Sequence, residues 1–427
     1  MKPEGPDLHR GATALGVVAL VSYFLDYGFN LCLTRFLSPH DYGDFKVAWA
    51  FAIFCGPAVL LGGDRAASMF LAPSLERGEA RRVWEYLRFY IRVALSLGFA
   101  LITITWTLGA LKLGTLNPLN HHPLTLAAMV VPINAIGTMI SRAVQASRRP
   151  VRAAVPWRIG LRVIKLSLFG AMVAWQGQLS INEAIAIAIA GVTLVTAWQW
   201  LDGHRLGIVE FERDAGLRES GQWLKASLPM MGSFLAALAL SQSDLYFLEL
   251  LGDEAEVGHY AATSTVAHFV TMIQATLLGL IAPAVSLAIK QGADASRATV
   301  QRGQAMMLKA LIPAAILLAF GGERVLVLFG KQYSVGYEAL VLLVVGNLAW
   351  AIAALPMLWL QYQGRAQWVL SLSIATLIVD AALNLYLIPN HGMTGAAAGT
   401  ALTLTAAALA AGWFYRRTLA SGLPSGG

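Results

Sequence analysis

"RFLSPHDYGDF", residues 35–45, returns in altered form as "ELLGDEAEVGHY" at residues 249–260. Setting Gly43-Asp44-Phe45 on Gly258-His259-Tyr260 separates the copies by 258 − 43 = 215 residues, about half of the 427-residue chain. A weaker echo, "QASRR" against "YQGRA", has an offset of 365 − 148 = 217. Two nearly equal offsets predict a chain made of two homologous halves.

The halves are apolar. Hydrophobic residues make up 57% of the sequence and charged ones 13%, with a mean hydropathy of +0.61, whereas soluble proteins are about a quarter charged. A hydrocarbon core about 30 Å thick needs about 20 apolar residues per helix. Stretches of that length predict twelve spans, at roughly 12–35, 46–70, 86–110, 123–146, 152–174, 181–201, 224–250, 257–288, 304–320, 337–361, 366–388 and 393–415. The fold class expected is an all-α integral membrane protein, with two six-helix lobes around a central cavity. The lobes are residues 1–201 and 224–427, joined by a cytoplasmic linker at 202–223. Six helices on each side of that linker make the repeat parallel, with an axis along the membrane normal.

With the N-terminus inside, most of the 31 basic residues fall at the cytoplasmic face, as the positive-inside rule requires. "RGEARRVWEYLR" and "SRAVQASRRPVR" lie inside, and "GDEAEVG" and "PNHGMTG" outside. Both termini are expected in the cytoplasm, and the net charge of +7 then needs no nucleic-acid partner. The start "MKPEGPDLHR" has no small-residue cleavage site after a short apolar core, so no removable signal peptide is expected.

Polar residues inside the spans mark the seam where a two-lobed transporter binds its cargo. In the fifth span, "VPWRIGLRVIKLSLF", Arg158, Arg162 and Lys165 recur at spacings of four and three and share one helix face. Counting about 1.5 Å per residue from Arg152 places Arg162 about 15 Å deep and Lys165 about 20 Å deep. A charge exposed to lipid there costs at least about 2.5 kcal/mol, so the stripe should face water or an anion. Arg92 on the third span and Arg65 at the inner end of the second join it as substrate contacts, although Arg65 beside Asp64 is equally a neutralised pair. Asp26, midway along the first span, is a partner for these cations.

The second half has the opposite character. Asp244 and Asp380 lie at similar depth, Asn384 follows Asp380 by four, and Thr400 comes to the same level. Two carboxylates, an amide oxygen and a hydroxyl suit Na⁺, or one carboxylate carries a proton; the plainer reading is carboxylates paired with other groups. Neither His121 and His122 nor Cys32 and Cys55 has ligand spacing for a metal. Pro57, Pro132, Pro229, Pro283, Pro313 and Pro356 fall within spans and permit bends.

"LTRFLSPHDYGDFKVAWAF", "DLYFLELLGDEAEVGHYAATS" and above all "LNLYLIPNHGMTGAAAGTAL" resemble one family. It is the polysaccharide transporters (Wzx-type lipid-linked oligosaccharide flippases) of the multidrug/oligosaccharidyl-lipid/polysaccharide exporter superfamily. The resemblance implies twelve helices in two lobes and transfer of an undecaprenyl-diphosphate-linked glycan between leaflets, with a glycan polymerase or assembly proteins as partners. No cofactor is expected beyond Na⁺ or H⁺. The rival within the superfamily is a cation-coupled drug antiporter, whose cavity should be acidic, against the basic stripe of the fifth span. A membrane-embedded glycan-processing enzyme would need a sizeable outer loop or a carboxylate cluster near the interface, and no phosphate loop ending in Lys-Ser or Lys-Thr occurs.

Overall fold

The computed structural model describes residues 5–110, 123–209 and 220–420, which are helical and contain no strand. Hydrocarbon leaves no partner for an unpaired backbone N–H or C=O, and helices satisfy both within one segment. In chain order they are α1 (Gly5–Phe36), α2 (Pro39–Val59), α3 (Gly63–Glu76), α4 (Ala80–Ala110), α5 (Leu124–Ala146) and α6 (Pro150–Gln176). There follow α7 (Ile181–Arg205), α8 (Ser220–Leu251), α9 (Glu254–Gln291), α10 (Ala293–Phe329), α11 (Tyr337–Tyr362) and α12 (Ala366–Ala420).

Among the described residues nine helices are long and apolar enough to cross a membrane, or eleven when two bent pairs each count as one span. The last, α12, has 55 residues and breaks at Gly392, where φ is 53° and ψ −135°. At about 1.5 Å per residue it is about 80 Å long, more than twice a hydrocarbon core of about 30 Å. Read as two spans, it completes the expected twelve.

The boundaries differ from expectation in three places. The expected span 46–70 is a bent pair, α2 and α3, meeting at 44°. Leu61 (φ 47°) and Gly62 (φ 78°) are left-handed there, and no continuous α-helix passes through that conformation. The break is stitched by side chains: Tyr86 donates to the Gly63 carbonyl (2.7 Å) and Ser227 to that of Leu61 (2.7 Å). The expected span 304–320 is the middle of the 37-residue α10, because "ADASRATVQRGQ" continues the helix beyond its apolar part. The expected gap between 388 and 393 is a kink without a loop. The prolines Pro57, Pro132, Pro229, Pro313 and Pro356 lie inside helices, as does Pro283.

The chain forms two compact units, called here the first lobe (residues 24–239) and the second lobe (residues 1–23 and 240–427). The repeated stretch, residues 35–45 and 249–260, begins a helix in each. Ser38 caps α2 by accepting from the Asp41 N–H (3.1 Å), with Pro39 in the first turn, and Asp253 caps α9 through the Ala255 N–H (3.4 Å). In the first lobe "SINE" forms a capping box at α7 between Ser180 and Glu183, and Arg152 on α6 clamps Asp202 on α7 through two bonds from Nε at 2.8 and 2.9 Å. In the second lobe Trp359 donates to Ser296, and a Cβ on Gly346 would stand 2.7 Å from the Ala401 Cα, so α11 and α12 meet backbone to backbone. Small residues serve such close approach in membranes. Residues 210–219 of the expected linker, and His121 and His122, lie outside the described residues. Cys32 and Cys55 are free thiols on α1 and α2.

Candidate functional site

Each lobe holds one polar cluster inside its apolar helices. In the first lobe three helices contribute. The second part of α1 brings Asp26, Phe29 and Asn30, α2 brings Tyr42, Lys46 and Trp49, and α6 brings Arg162 and Lys165. Arg162 pairs with Asp26 (Nε to Oδ1 3.4 Å) and also donates to the Trp157 carbonyl. Asn30 donates to the Asp26 carboxylate (3.2 Å) and carbonyl (2.7 Å), and its own oxygen accepts from Tyr42 (2.9 Å) and Lys46 (3.3 Å). Lys165 is 4% exposed, with its ammonium over the Phe29 ring at 4.1 Å and the Trp49 ring at 5.0 Å. Aromatic faces attract a desolvated cation by up to about 2 kcal/mol, which holds the charge without neutralising it.

The expected stripe is thus only partly assembled. Arg162 and Lys165 join Asp26, but Arg158 is exposed. Arg158 sits inside a π turn, Pro156–Gly160: Pro156 lacks the N–H that would bond one turn back, and the widened turn changes the phase of the helix. Arg158 instead feels the charges of Arg162 and Arg142. Arg65 pairs with the neighbouring Asp64 (3.0 Å) and stacks on Phe234 (3.4 Å), within reach of the Arg142 charge. Arg92 is exposed on α4 and makes no hydrogen bond or ion pair with the cluster.

The second lobe brings all four expected residues together. Asp244 on α8 accepts from Asn384 (2.9 Å) and Thr400 (2.6 Å), which belong to opposite halves of α12, and from Tyr260 on α9. Asp380 accepts from Ser243 (2.7 Å) and from the same Asn384 nitrogen (3.2 Å). Asp380 and Asn384 are 1% and 0% exposed. Gly399, beside Thr400, lets the two halves close: its Cβ would stand 3.1 Å from the Asn384 oxygen.

That oxygen is buried without a partner. The two carboxylates share one amide nitrogen, so their bonded oxygens are at most 2.9 + 3.2 Å apart, about 6 Å. Two full negative charges at about 6 Å repel by about 3 kcal/mol at an effective dielectric of about 20, more than the net gain of about 1 kcal/mol from a typical hydrogen bond. The cluster therefore suits one added positive charge, a proton between the acids or a cation toward which Asn384 turns its unpaired oxygen. An all-oxygen set of two carboxylates, an amide and hydroxyls fits a hard monovalent cation.

Lys46, Asn30 and Tyr42, Arg142, and Ser243 with Tyr260 were not singled out by the sequence. Tyr42 belongs to the repeated stretch in the first half, which Lys46 directly follows, and Tyr260 to its copy in the second.

A family model described as polysaccharide biosynthesis protein matches residues 8–289. No curated protein matches the sequence. Among solved structures the chain is similar to an inward-facing multidrug resistance MATE family transporter of the MOP superfamily, with a TM-score of 0.74 and 13% identity over 95% of this chain and 98% of that one. It is similar also to the lipid II flippase MurJ in an inward closed conformation, with a TM-score of 0.74 and 13% identity over 94% and 87%. A MOP superfamily transporter from Pyrococcus furiosus, described as having a binding pocket of reverse polarity, gives a TM-score of 0.70 and 14% identity over 99% of both chains. At such identities these three share its fold. With residues 8–289 matched, and nearly its whole length folded as these transporters are, the protein belongs to the polysaccharide biosynthesis protein family and crosses the membrane many times.

Proposed function

We propose that the protein is a flippase that carries an undecaprenyl-diphosphate-linked oligosaccharide across the bacterial cytoplasmic membrane by alternating access, driven by Na⁺ or H⁺. The observation that carries this reading is the pairing of one cationic and one acidic cluster in separate lobes. A diphosphate offers several acceptor oxygens and suits guanidinium and ammonium groups. Arg162 and Lys165 are its first contacts, with Arg158 and Arg65 nearer the cytoplasmic end and Arg92 on the neighbouring helix. Asp26 holds Arg162 until an anion competes for it. Asp244, Asp380, Asn384 and Thr400 take the coupling cation.

Membership of the family supports a role in glycan export, and the likeness to the lipid II flippase supports a lipid-linked cargo. The basic segments support cytoplasmic termini, and a glycan polymerase or assembly proteins take up the product on the outer side. The likeness to multidrug transporters favours a second reading, a cation-coupled drug antiporter. The cations of the first lobe oppose cationic drugs there.

Leaflet-specific accumulation in a deletion strain tests the proposal. Lipid-linked oligosaccharide trapped on the inner leaflet is the expected result. A completed glycan outside with altered drug tolerance would favour the antiporter, and an unfinished glycan would favour an enzyme.

A further inference from the structure

Glu256 on α9 belongs to neither polar cluster, yet it is built into the break of α12. Its carboxylate accepts from the Met393 N–H at 3.0 Å. A Cβ on Gly392 would stand 2.1 and 2.5 Å from the two carboxylate oxygens, so the group lies against the bare Cα of the glycine. Gly392 therefore serves twice. Its φ of 53° with ψ of −135° turns the chain as other residues rarely do, and its missing side chain leaves room for the carboxylate. The two segments expected outside, "GDEAEVG" and "PNHGMTG", meet in this contact. The first lobe solves the equivalent turn within its own chain segment. Gly177 (φ 72°) precedes Gly392 by 392 − 177 = 215 residues, and Asp41 precedes Glu256 by 256 − 41 = 215. There the next helix starts with its own capping box, Ser180 and Glu183, and Asp41 accepts from Ser38 at the start of its own helix (2.7 Å).

Thr400 follows Gly392 by about two helical turns, a distance of about 12 Å. A tilt of about 15° at the break therefore moves Thr400 by about 3 Å, enough to part its hydroxyl from Asp244, which it meets at 2.6 Å. Glu256 and Tyr260 are one turn apart on α9 and share a face. Tyr260 donates to Asp244 while Glu256 holds Met393, so one helix fixes both the acid and the break. We infer that Glu256 is a positioning residue, a carboxylate clamp that sets the stance of the second half of α12 and so brings the Thr400 hydroxyl to Asp244. The inference rests on the reading of that cluster as the coupling-ion site, because only then does the stance of Thr400 bear on transport.

Amide hydrogen exchange over residues 393–400 of the purified full chain, without Na⁺, tests the clamp apart from any cation. E256A should speed exchange there about tenfold, the scale of losing a hydrogen bond to a charged group. E256D keeps the charge but is one methylene short, and it should behave as E256A does. E256Q keeps the reach and an acceptor oxygen, and it should stay within about threefold of the parent, since a neutral bond is about half as strong. In Na⁺ titrations of thermal stability, E256A should raise the half-point about fivefold and add nothing to T400V, because both variants lose the same hydroxyl. Residues so far apart otherwise act additively. Unchanged exchange in E256A and E256D, a loss in E256Q as large as in E256A, or additive shifts in the double variant would each overturn the inference. A parent protein that neither Na⁺ nor pH stabilises would overturn the reading of the cluster instead, and the exchange comparison alone would then decide for or against the clamp.

Discussion

In the first lobe a carboxylate on α1, Asp26, meets a guanidinium on α6, Arg162. In the second lobe a carboxylate on α8, Asp244, is joined through Asn384 to another carboxylate on α12, Asp380. The positions correspond: 244 − 26 and 380 − 162 are both 218, close to the offsets of the repeated stretches. Where one lobe carries its own cation on an arginine stem, the other has an acid, which on the proposed reading takes its positive charge from solution. A built-in cation fixes its cluster under all conditions. A missing one makes the cluster conditional, and a conditional element is what a gradient can act on.

The largest effect should therefore come from the acid that has no counterpart in the first lobe. Asp380→Asn keeps the size and an acceptor for Ser243 but removes the second charge, and transport should fall by about 100-fold, the scale of losing one partner of a buried charge pair. Cation-dependent stabilisation of the purified protein should vanish with it, because a ligand stabilises only the state that binds it. Asp380→Arg would import the first lobe's solution and should give a folded protein that no cation stabilises further. Unchanged transport by Asp380→Asn and by Asp244→Asn under both Na⁺ and proton gradients would make the comparison empty.

Next comes the first lobe's own pair. Asp26 and Arg162 are both partly exposed, with 41% and 26% of their side chains accessible, so screening limits the pair to about 1 kcal/mol of stability. Arg162→Gln should nonetheless lower transport about tenfold if the guanidinium meets the substrate phosphates. Combining it with Asp26→Asn should restore stability without restoring transport. Recovery of both would reduce Arg162 to a partner of Asp26 alone, and the anion contact would pass to Lys165 or to Arg65 and Arg92.

The same comparison explains what could be read from the sequence. Spans follow from composition, and depth follows from a fixed rise per residue. Asp380 and Asn384, one helical turn apart, and Asp244 and Thr400 at the same level were therefore legible as one cluster. Arg158 stands apart from Arg162 and Lys165 as an exposed residue in the Pro156 π turn, a feature that spacing alone does not register. The break at Leu61–Gly62 leaves no mark on hydropathy, since it is a matter of φ. Phe29 and Trp49 read as ordinary apolar residues, because only the fold sets Lys165 between them. Lys46 and Tyr260 reach their clusters from other helices, and a single sequence does not show which helices touch; Asn30 and Ser243 share a helix with Asp26 and Asp244 and read as ordinary polar neighbours.

A smaller effect is expected at Lys165. Its aromatic neighbours stabilise the ammonium by up to about 2 kcal/mol, but burying that charge costs energy of the same order. Lys165→Met, which is close in shape, should leave membrane abundance nearly unchanged. Transport should drop several-fold, because an apolar tip offers nothing to a diphosphate. Parent-like transport by Lys165→Met would show that the cage, and not the cargo, is the reason for the lysine.

The smallest effect should come from Thr400, and it tests how the second lobe recruits its cation. The hydroxyl donates to Asp244 at 2.6 Å and comes from the half of α12 beyond Gly392, while Asp380 and Asn384 lie on the half before it. Thr400→Val keeps the shape and removes that bond to a charged acceptor, a loss of about 1.5–3 kcal/mol before relaxation. Tyr260 and Asn384 still donate to Asp244, which should reduce the cost in stability to about 1 kcal/mol. If the hydroxyl oxygen is also a cation ligand, the Na⁺ concentration needed for half-maximal stabilisation should rise about tenfold in Thr400→Val and return to the parent value in Thr400→Ser. If the proton is the coupling ion, Thr400→Val should shift the pH profile of transport and leave its Na⁺ response flat. A variant that changes neither response would confine the conditional cluster to α8 and the first half of α12, so that the kink at Gly392 shapes the lobe without taking part in sensing the cation.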